Sequence, residues 1–237
     1  MRLDKYLADA GAYTRKQAQA LVRAGRVLVA GAAAKSPAQM VSDGQQVLVD
    51  GQIILRDAQL HLMMHKPAGV LTAARDRNAP TVSAYLPPLY LKRGASPVGR
   101  LDKDVTGLLI FTTDGELNHR LTSPKRGVDK TYLASVDGVL AESDVLAFEK
   151  GLDLGDFTAR PATLQILQPG QARVTVCEGK FHQVKRMFEA VGKPVITLKR
   201  LSMGGVLLDE TLLPGQTRPL TEDEIATLRQ SAQMEEP

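Results

Sequence analysis

Ala162-Thr163-Leu164-Gln165-Ile166-Leu167-Gln168-Pro169-Gly170-Gln171-Ala172-Arg173-Val174-Thr175-Val176-Cys177 reads as two strands, Ala162–Leu167 and Ala172–Cys177, that follow one another directly. Outward from this pair, further strands are expected at Leu60–Met64, Leu108–Thr112, Thr131–Val136 and Val195–Leu201. Helices are expected at Glu116–Leu121, Glu142–Lys150 and Phe181–Val191, the last ending at Gly192 with Val184, Met187, Phe188 and Val191 on one face. A terminal helix begins at Thr221, with Glu224 completing a capping box, and the tail after Gln230 is expected to fray. Strands outnumber helices and succeed each other without crossovers. The fold class is therefore α+β with a mainly antiparallel sheet and flanking helices, not a doubly wound sheet.

Upstream of Leu60 the pattern changes. Leu3, Tyr6, Leu7 and Ala10 lie at helical spacing before Gly11, and Thr14 caps a second helix carrying Ala18, Leu21 and Val22, with Gly25 beyond its end. Arg26–Val29, Val47–Val49 and Ile53–Leu55 follow as short strands. A boundary near Arg56–Gln59 divides the chain into a small module, residues 1–58, and a larger domain, residues 59–237.

Hydrophobic residues make up 43% of the 237 and charged residues 24%, which excludes wholesale disorder. The lone Cys177 excludes an internal disulfide and a Cys-rich zinc site. No apolar run reaches the length of a membrane span, and Asp4, Lys5 and Asp9 fall where a signal peptide needs apolar residues; a cytoplasmic location is expected. The net charge of +4 hides a pattern: residues 1–35 and 180–200 each carry a net +5, and residues 209–237 a net −5. Two separated basic segments suggest a polyanion held at two places, although solvated helix faces explain such clusters as well.

Neither GxxxxGK[ST] nor GxGxxG occurs, so nucleotide-driven chemistry lacks its usual signature. His61 and His65 are spaced HxxxH without the following Glu of a metalloprotease, and a half-buried strand face explains them equally well; no metal is expected. Three segments remain. His65-Lys66-Pro67-Ala68-Gly69 forms a sharp turn with Lys66 at its lip. Gly99-Arg100-Leu101-Asp102-Lys103-Asp104-Val105-Thr106-Gly107 is a loop shaped to present side chains, Asp102 among them. Glu178–Met187 opens a helix with Lys and Arg in its first turns, a place to hold anions. Taken singly, each reads more readily as a turn, an Asx turn or a solvated amphipathic helix.

Together, the KPxG turn, the GRLDxDxxGLL loop, Lys130-Thr131-Tyr132 and the EGKFHQVKRM helix resemble, in order and separation, the pseudouridine synthases that act on ribosomal RNA. Residues 2–31 resemble the S4 RNA-binding module, and with the closing Pro219–Ile225 the likeness spans nearly the whole chain. Phe181-His182, where large-subunit members often have Asn-Arg, and Lys185 in place of Arg match the small-subunit (16S) branch. The resemblance implies an S4 module followed by a catalytic domain that isomerises the uridine at position 516 of 16S ribosomal RNA, in a partly assembled small subunit, without a cofactor. It implies Asp102 as nucleophile, Lys185 as its cation with Arg186 as the other candidate, and Tyr132 against the flipped uracil. Arg100 would fill the vacated space. Lys66, Lys180, His182, Gln183 and Arg186 would contact RNA near the site, and Arg2, Arg15, Lys16, Arg23 and Arg26 would contact it from the S4 module. Asp104 reads as a loop-shaping residue. A monomer is expected. Rival readings are a large-subunit enzyme of the same family, a non-catalytic S4 assembly factor, and an Asp-dependent glycoside hydrolase, for which a second carboxylate is lacking.

Overall fold

Thr14 opens the second helix with a reciprocal cap: its Oγ1 accepts from the Gln17 N–H, and the Gln17 side chain accepts from the Thr14 N–H. The computed structural model describes residues 1–11, 13–42, 44–54 and 59–234. The chain forms two units, Met1–Gln59 with Pro87–Gly94, and Leu60–Leu86 with Ala95–Pro237. Arg56–Ala58, where the sequence suggests a boundary, and Leu55 lie outside the described residues.

The first unit contains α1 (Leu3–Asp9), α2 (Arg15–Arg23), β1 (Val27–Val29), β2 (Ala32–Ala33), β3 (Val47–Val49) and β4 (Gln52–Ile53). Its sheet has the order β2-β1-β3-β4, every pair antiparallel. Leu3, Leu7, Ala18, Val22, Val27 and Val47 close its core. Asp4 is buried between the helices, where the Arg2 guanidinium, then Gln19 and Arg15, hold its carboxyl down to about 2. The short helix α3 (Pro88–Lys92) joins this unit: a Cβ on Gly11 would collide with Leu89, and Lys92 Nζ donates to the Ala8 carbonyl at 2.6 Å.

The second unit is built on a nine-stranded sheet. Its strands and helices are β5 (His61–Lys66), β6 (Ser96–Pro97), β7 (Thr106–Thr112), α4 (Gly115–Thr122), β8 (Lys130–Val136) and α5 (Glu142–Lys150). After the β9 (Leu152–Asp153) and β10 (Thr158–Ala159) ribbon come β11 (Thr163–Gln168), β12 (Gln171–Val176), α6 (Gln183–Ala190), β13 (Val195–Met203), β14 (Val206–Leu207), β15 (Thr217–Pro219) and α7 (Glu222–Ser231). The sheet order is β11-β12-β8-β13-β7-β5-β15, with β14 on β13 and β6 on β7. All pairs are antiparallel except β13 with β7, so the α+β, mainly antiparallel architecture holds. Met63, Leu108, Ile110, Leu117, Leu121, Met203 and Leu228 form the core where α4 and α7 cover the sheet.

The C-terminal tail departs from expectation. Ala232 is fully buried, Met234 packs on the core, and Arg120 and Arg126 donate to Gln233. The chain stays docked through Met234 because an apolar residue there completes the α7 face; residues 235–237 lie outside the described residues.

Two features position the loop between β6 and β7. Where β13 meets β7, Gly107 has φ +105°, and a Cβ there would lie 2.2 Å from the Arg200 carbonyl oxygen. Only glycine permits this approach. Below the loop, Lys66 at the end of β5 is wholly buried, and its Nζ donates to the carbonyls of Pro67 (3.0 Å), Lys103 (3.3 Å) and Val105 (2.9 Å). Burial lowers its pKa to about 8, so at neutral pH it remains an ammonium with three protons for three acceptors.

Gly107→Ala is expected to destabilise the protein by about 2–4 kcal/mol, lowering Tm by about 5–15 °C in calorimetry. Lys66→Met should cost about 2–5 kcal/mol in urea denaturation, because buried carbonyls lose their donor; a midpoint equal to wild type would show those bonds to be dispensable.

Candidate active site

The loop that follows Gly99 alternates anchors with presented groups. Leu101 and Val105 are buried, and between them Asp102, Lys103 and Asp104 point outward. Thr72 clamps the loop from beneath: its Oγ1 donates to the Leu101 carbonyl (2.7 Å) and accepts from the Leu101 N–H (3.2 Å). The Gly69 N–H adds a bond to the Lys103 carbonyl at 2.8 Å. The KPxG turn thus holds up the Asp102 loop from below.

Asp102 faces a cleft lined by Arg100, Tyr132, Lys180, His182 and Lys185, with Val105, Val176, Val184 and Leu198 as apolar walls. Its side chain is 30% exposed, and two nitrogens bracket it: Lys185 Nζ at 3.4 Å from Oδ2 and His182 Nε2 at 3.5 Å from Oδ1. Lys185 makes its short hydrogen bonds to Asp104, at 2.7 and 2.8 Å, and this cation holds the Asp104 carboxyl below its ordinary range. Asp104 therefore does more than shape the loop; it anchors the cation that Asp102 faces. Arg186, the other candidate for that cation, turns away to Asp156 and the Leu154 carbonyl. Adjacent helix positions point about 100° apart, so only one of the pair meets the loop.

Tyr132 is buried at the cleft floor in β8, directly opposite Arg200 on β13. Arg200 is itself buried, its Nε donating to the Leu108 carbonyl (2.8 Å) where β13 and β7 part, while its Nη2 has no hydrogen-bond partner. Lys130, two residues before Tyr132, donates to the Val128 carbonyl, and burial together with the Arg200 charge lowers its pKa to about 8. Two cationic groups thus stand behind the cleft in a low-dielectric setting that favours anions in front of them.

The remaining expected contacts divide. Arg100 and Lys180 are exposed at the cleft, and His182 lines it. Lys66 is corrected: it does not stand at the lip of the turn but is buried on a strand covered on both faces, where it holds loop carbonyls. Gln183 also lines the cleft, but it is buried and engaged, its Nε2 donating to Glu178 (2.8 Å) and its Oε1 accepting from the Lys180 N–H. The helix begins at Gln183 rather than Phe181, after a turn that puts His182 at φ 51°. In the first unit Arg15, Lys16 and Arg23 are exposed, whereas Arg2 is engaged by Asp4 and Arg26 by Asp50. Asp104, Thr72 and Arg200 escaped sequence reasoning; Asp104 alone carried a signal, its place in the charged loop.

Among the described residues, no group of three or more His, Cys, Asp or Glu is placed to hold a metal ion, and no helix is long and apolar enough to cross a membrane. The RNA pseudouridylate synthase family model matches residues 60–190, and the S4 domain model residues 1–47. The chain is 42% identical to an uncharacterised RNA pseudouridine synthase of Bacillus subtilis, covering 97% of this chain and 99% of that protein. It is 41% identical to the ribosomal small subunit pseudouridine synthase A of Salmonella typhimurium and 40% to that of Escherichia coli, each over 96% of this chain and 100% of the relative. A crystal structure of a pseudouridylate synthase superposes with a TM-score of 0.69 at 35% identity, covering 96% of this chain and 99% of that one. With its S4 domain and its catalytic unit both matched, the chain belongs to the RNA pseudouridine synthase family.

Proposed function

We propose that this enzyme converts one uridine of small-subunit (16S) ribosomal RNA, the uridine at position 516, to pseudouridine, with Asp102 as nucleophile and no cofactor. The observation that carries the chemistry is the convergence of Asp102, Tyr132 and Lys185 on one cleft. The small-subunit address is supported by the two relatives of that name, matched over their full length.

The reaction is an isomerisation. The uracil N1–C1′ bond breaks, the base turns, a C5–C1′ bond forms, the C5 proton is lost and N1 gains one. No electron or group leaves the substrate, so the chemistry balances without a carrier. An ionised carboxylate serves as the nucleophile, through C1′ of the ribose or C6 of the ring. Lys185 and the buried cations behind Tyr132 stabilise the detached, electron-rich base. Tyr132 offers its ring to the uracil, a stack worth about 1–3 kcal/mol, against the few kcal/mol that extraction of a base costs. Arg100, exposed at the cleft mouth, fills the space the base leaves.

The S4 unit supplies electrostatic grip through Arg15, Lys16 and Arg23, on a monomer acting in the cytoplasm on partly assembled subunits. Asp102→Asn should abolish pseudouridine formation by about 10⁴-fold or more while RNA binding persists, assayed on free 16S RNA and on assembly intermediates; undiminished product would remove Asp102 from the mechanism. Mapping pseudouridine in both ribosomal RNAs of a deletion strain checks the address, and loss confined to large-subunit RNA would refute it. Lys16→Gln with Arg23→Gln should weaken binding and flatten the dependence of log K on log salt by roughly 0.7–0.9 per cation removed, with kcat unchanged.

A further inference from the structure

Phe181 is 75% exposed, the most exposed of the large apolar side chains among the described residues. Leaving an aromatic ring in water forgoes the burial that ordinarily justifies it. Its other face is covered by the ring of His182, with centroids 3.8 Å apart and planes 18° from parallel. His182 in turn lies 3.5 Å from the Asp102 carboxylate. Two stacked rings therefore run outward from the proposed nucleophile and end in an uncovered π face.

The turn that carries them is braced. Glu178 is buried and accepts from the Arg160 N–H and from Gln183 Nε2, each at 2.8 Å. Gln183 also accepts from the Lys180 N–H at 3.1 Å. His182 is held at φ 51°, a left-handed conformation that persists only where the surroundings enforce it. Phe181 is thus presented by a fixed support. The nearby Phe157 ring is already occupied, with Lys180 Nζ 3.8 Å and the Arg186 guanidinium carbon 5.0 Å from its centroid. Lys180, one residue before Phe181 and exposed at the cleft, supplies a cation that suits a phosphate backbone beside the one open aromatic face.

Flipping a uridine out of RNA strips a stacking partner from each neighbouring base. We propose that Phe181, backed by His182, is a stacking platform for the base of a nucleotide adjacent to the flipped uridine, so that the site grips two consecutive bases. This rests on the function proposed above and adds a substrate subsite to it. The match is between an uncovered ring and an unstacked base, and such stacking tolerates any base identity.

The test uses full-length protein carrying Asp102→Asn and a 16S RNA fragment with 2-aminopurine on the 5′ or the 3′ side of the target uridine. Binding should quench one of the two probes. Phe181→Ala and Phe181→Leu should abolish that quenching and weaken affinity roughly 5- to 100-fold, the size of one base–aromatic stack. Phe181→Trp should retain both. On the Asp102 background, Phe181→Ala should raise KM by the same factor with kcat nearly unchanged. If Phe181→Leu binds and quenches as wild type, or neither probe responds to Phe181, the platform is overturned while product formation by the wild-type enzyme leaves the function standing. If the wild-type enzyme forms no pseudouridine in any ribosomal RNA, the function fails and the platform fails with it.

Discussion

One buried ammonium organises the catalytic unit. Lys66 is wholly buried, and its ammonium donates to three carbonyl oxygens, two from the loop that bears Asp102 and one from the turn at Pro67. Burying an unpaired charge is costly, and the protein tolerates it because every proton has an acceptor. The result is a loop whose backbone is fixed from below, by Lys66, by Thr72 and by the Gly69 N–H, while its carboxylates meet Lys185 and His182 above. Without that support a glycine-bounded, highly charged segment would have no reason to hold one conformation.

Much of this was legible in advance. The strands at Leu108–Thr112, Thr131–Val136 and Val195–Leu201 were legible because apolar, β-branched stretches coincide with them, and the Thr14 and Thr221 caps because their partners lie three residues on. The Asp102 loop and the Lys185 helix stood out through their glycines and clustered charge. Lys66 did not: a turn signal shows where the chain bends, but not that the strand before it, His61–Lys66, is covered on both faces. The burial of Gln183 at the cleft was not legible either, since it depends on Glu178, a partner that only the folded turn brings to it. Arg200 offered no local cue, because its role arises where β13 and β7 diverge, and strands more than ninety residues apart in sequence meet there.

The electrostatics of the cleft follow from which cations are paired and which are not. Arg186 is neutralised by the neighbouring carboxylate of Asp156. Lys130 and Arg200 are buried beside backbone carbonyls instead, and so project positive potential toward Tyr132 and the cleft in front of it. In the reaction proposed above, a base departing with its bonding electrons would meet a preorganised field.

Lys185 completes this logic by the way it divides its attention. Its hydrogen bonds go to Asp104, and it approaches Asp102 only to 3.4 Å. A carboxylate tied down by short, strong hydrogen bonds is stabilised as an anion but blunted as a nucleophile, whereas one with no cation near it is favoured less as an anion. Holding the cation on a second acid avoids both. Asp104 keeps Lys185 in place, Lys185 sets a positive charge beside Asp102, and no short hydrogen bond from that cation caps the proposed nucleophile. An Asp-x-Asp spacing facing one lysine is thus a way of supplying charge without supplying a cap, and it accounts for a second carboxylate in a site whose proposed reaction uses one.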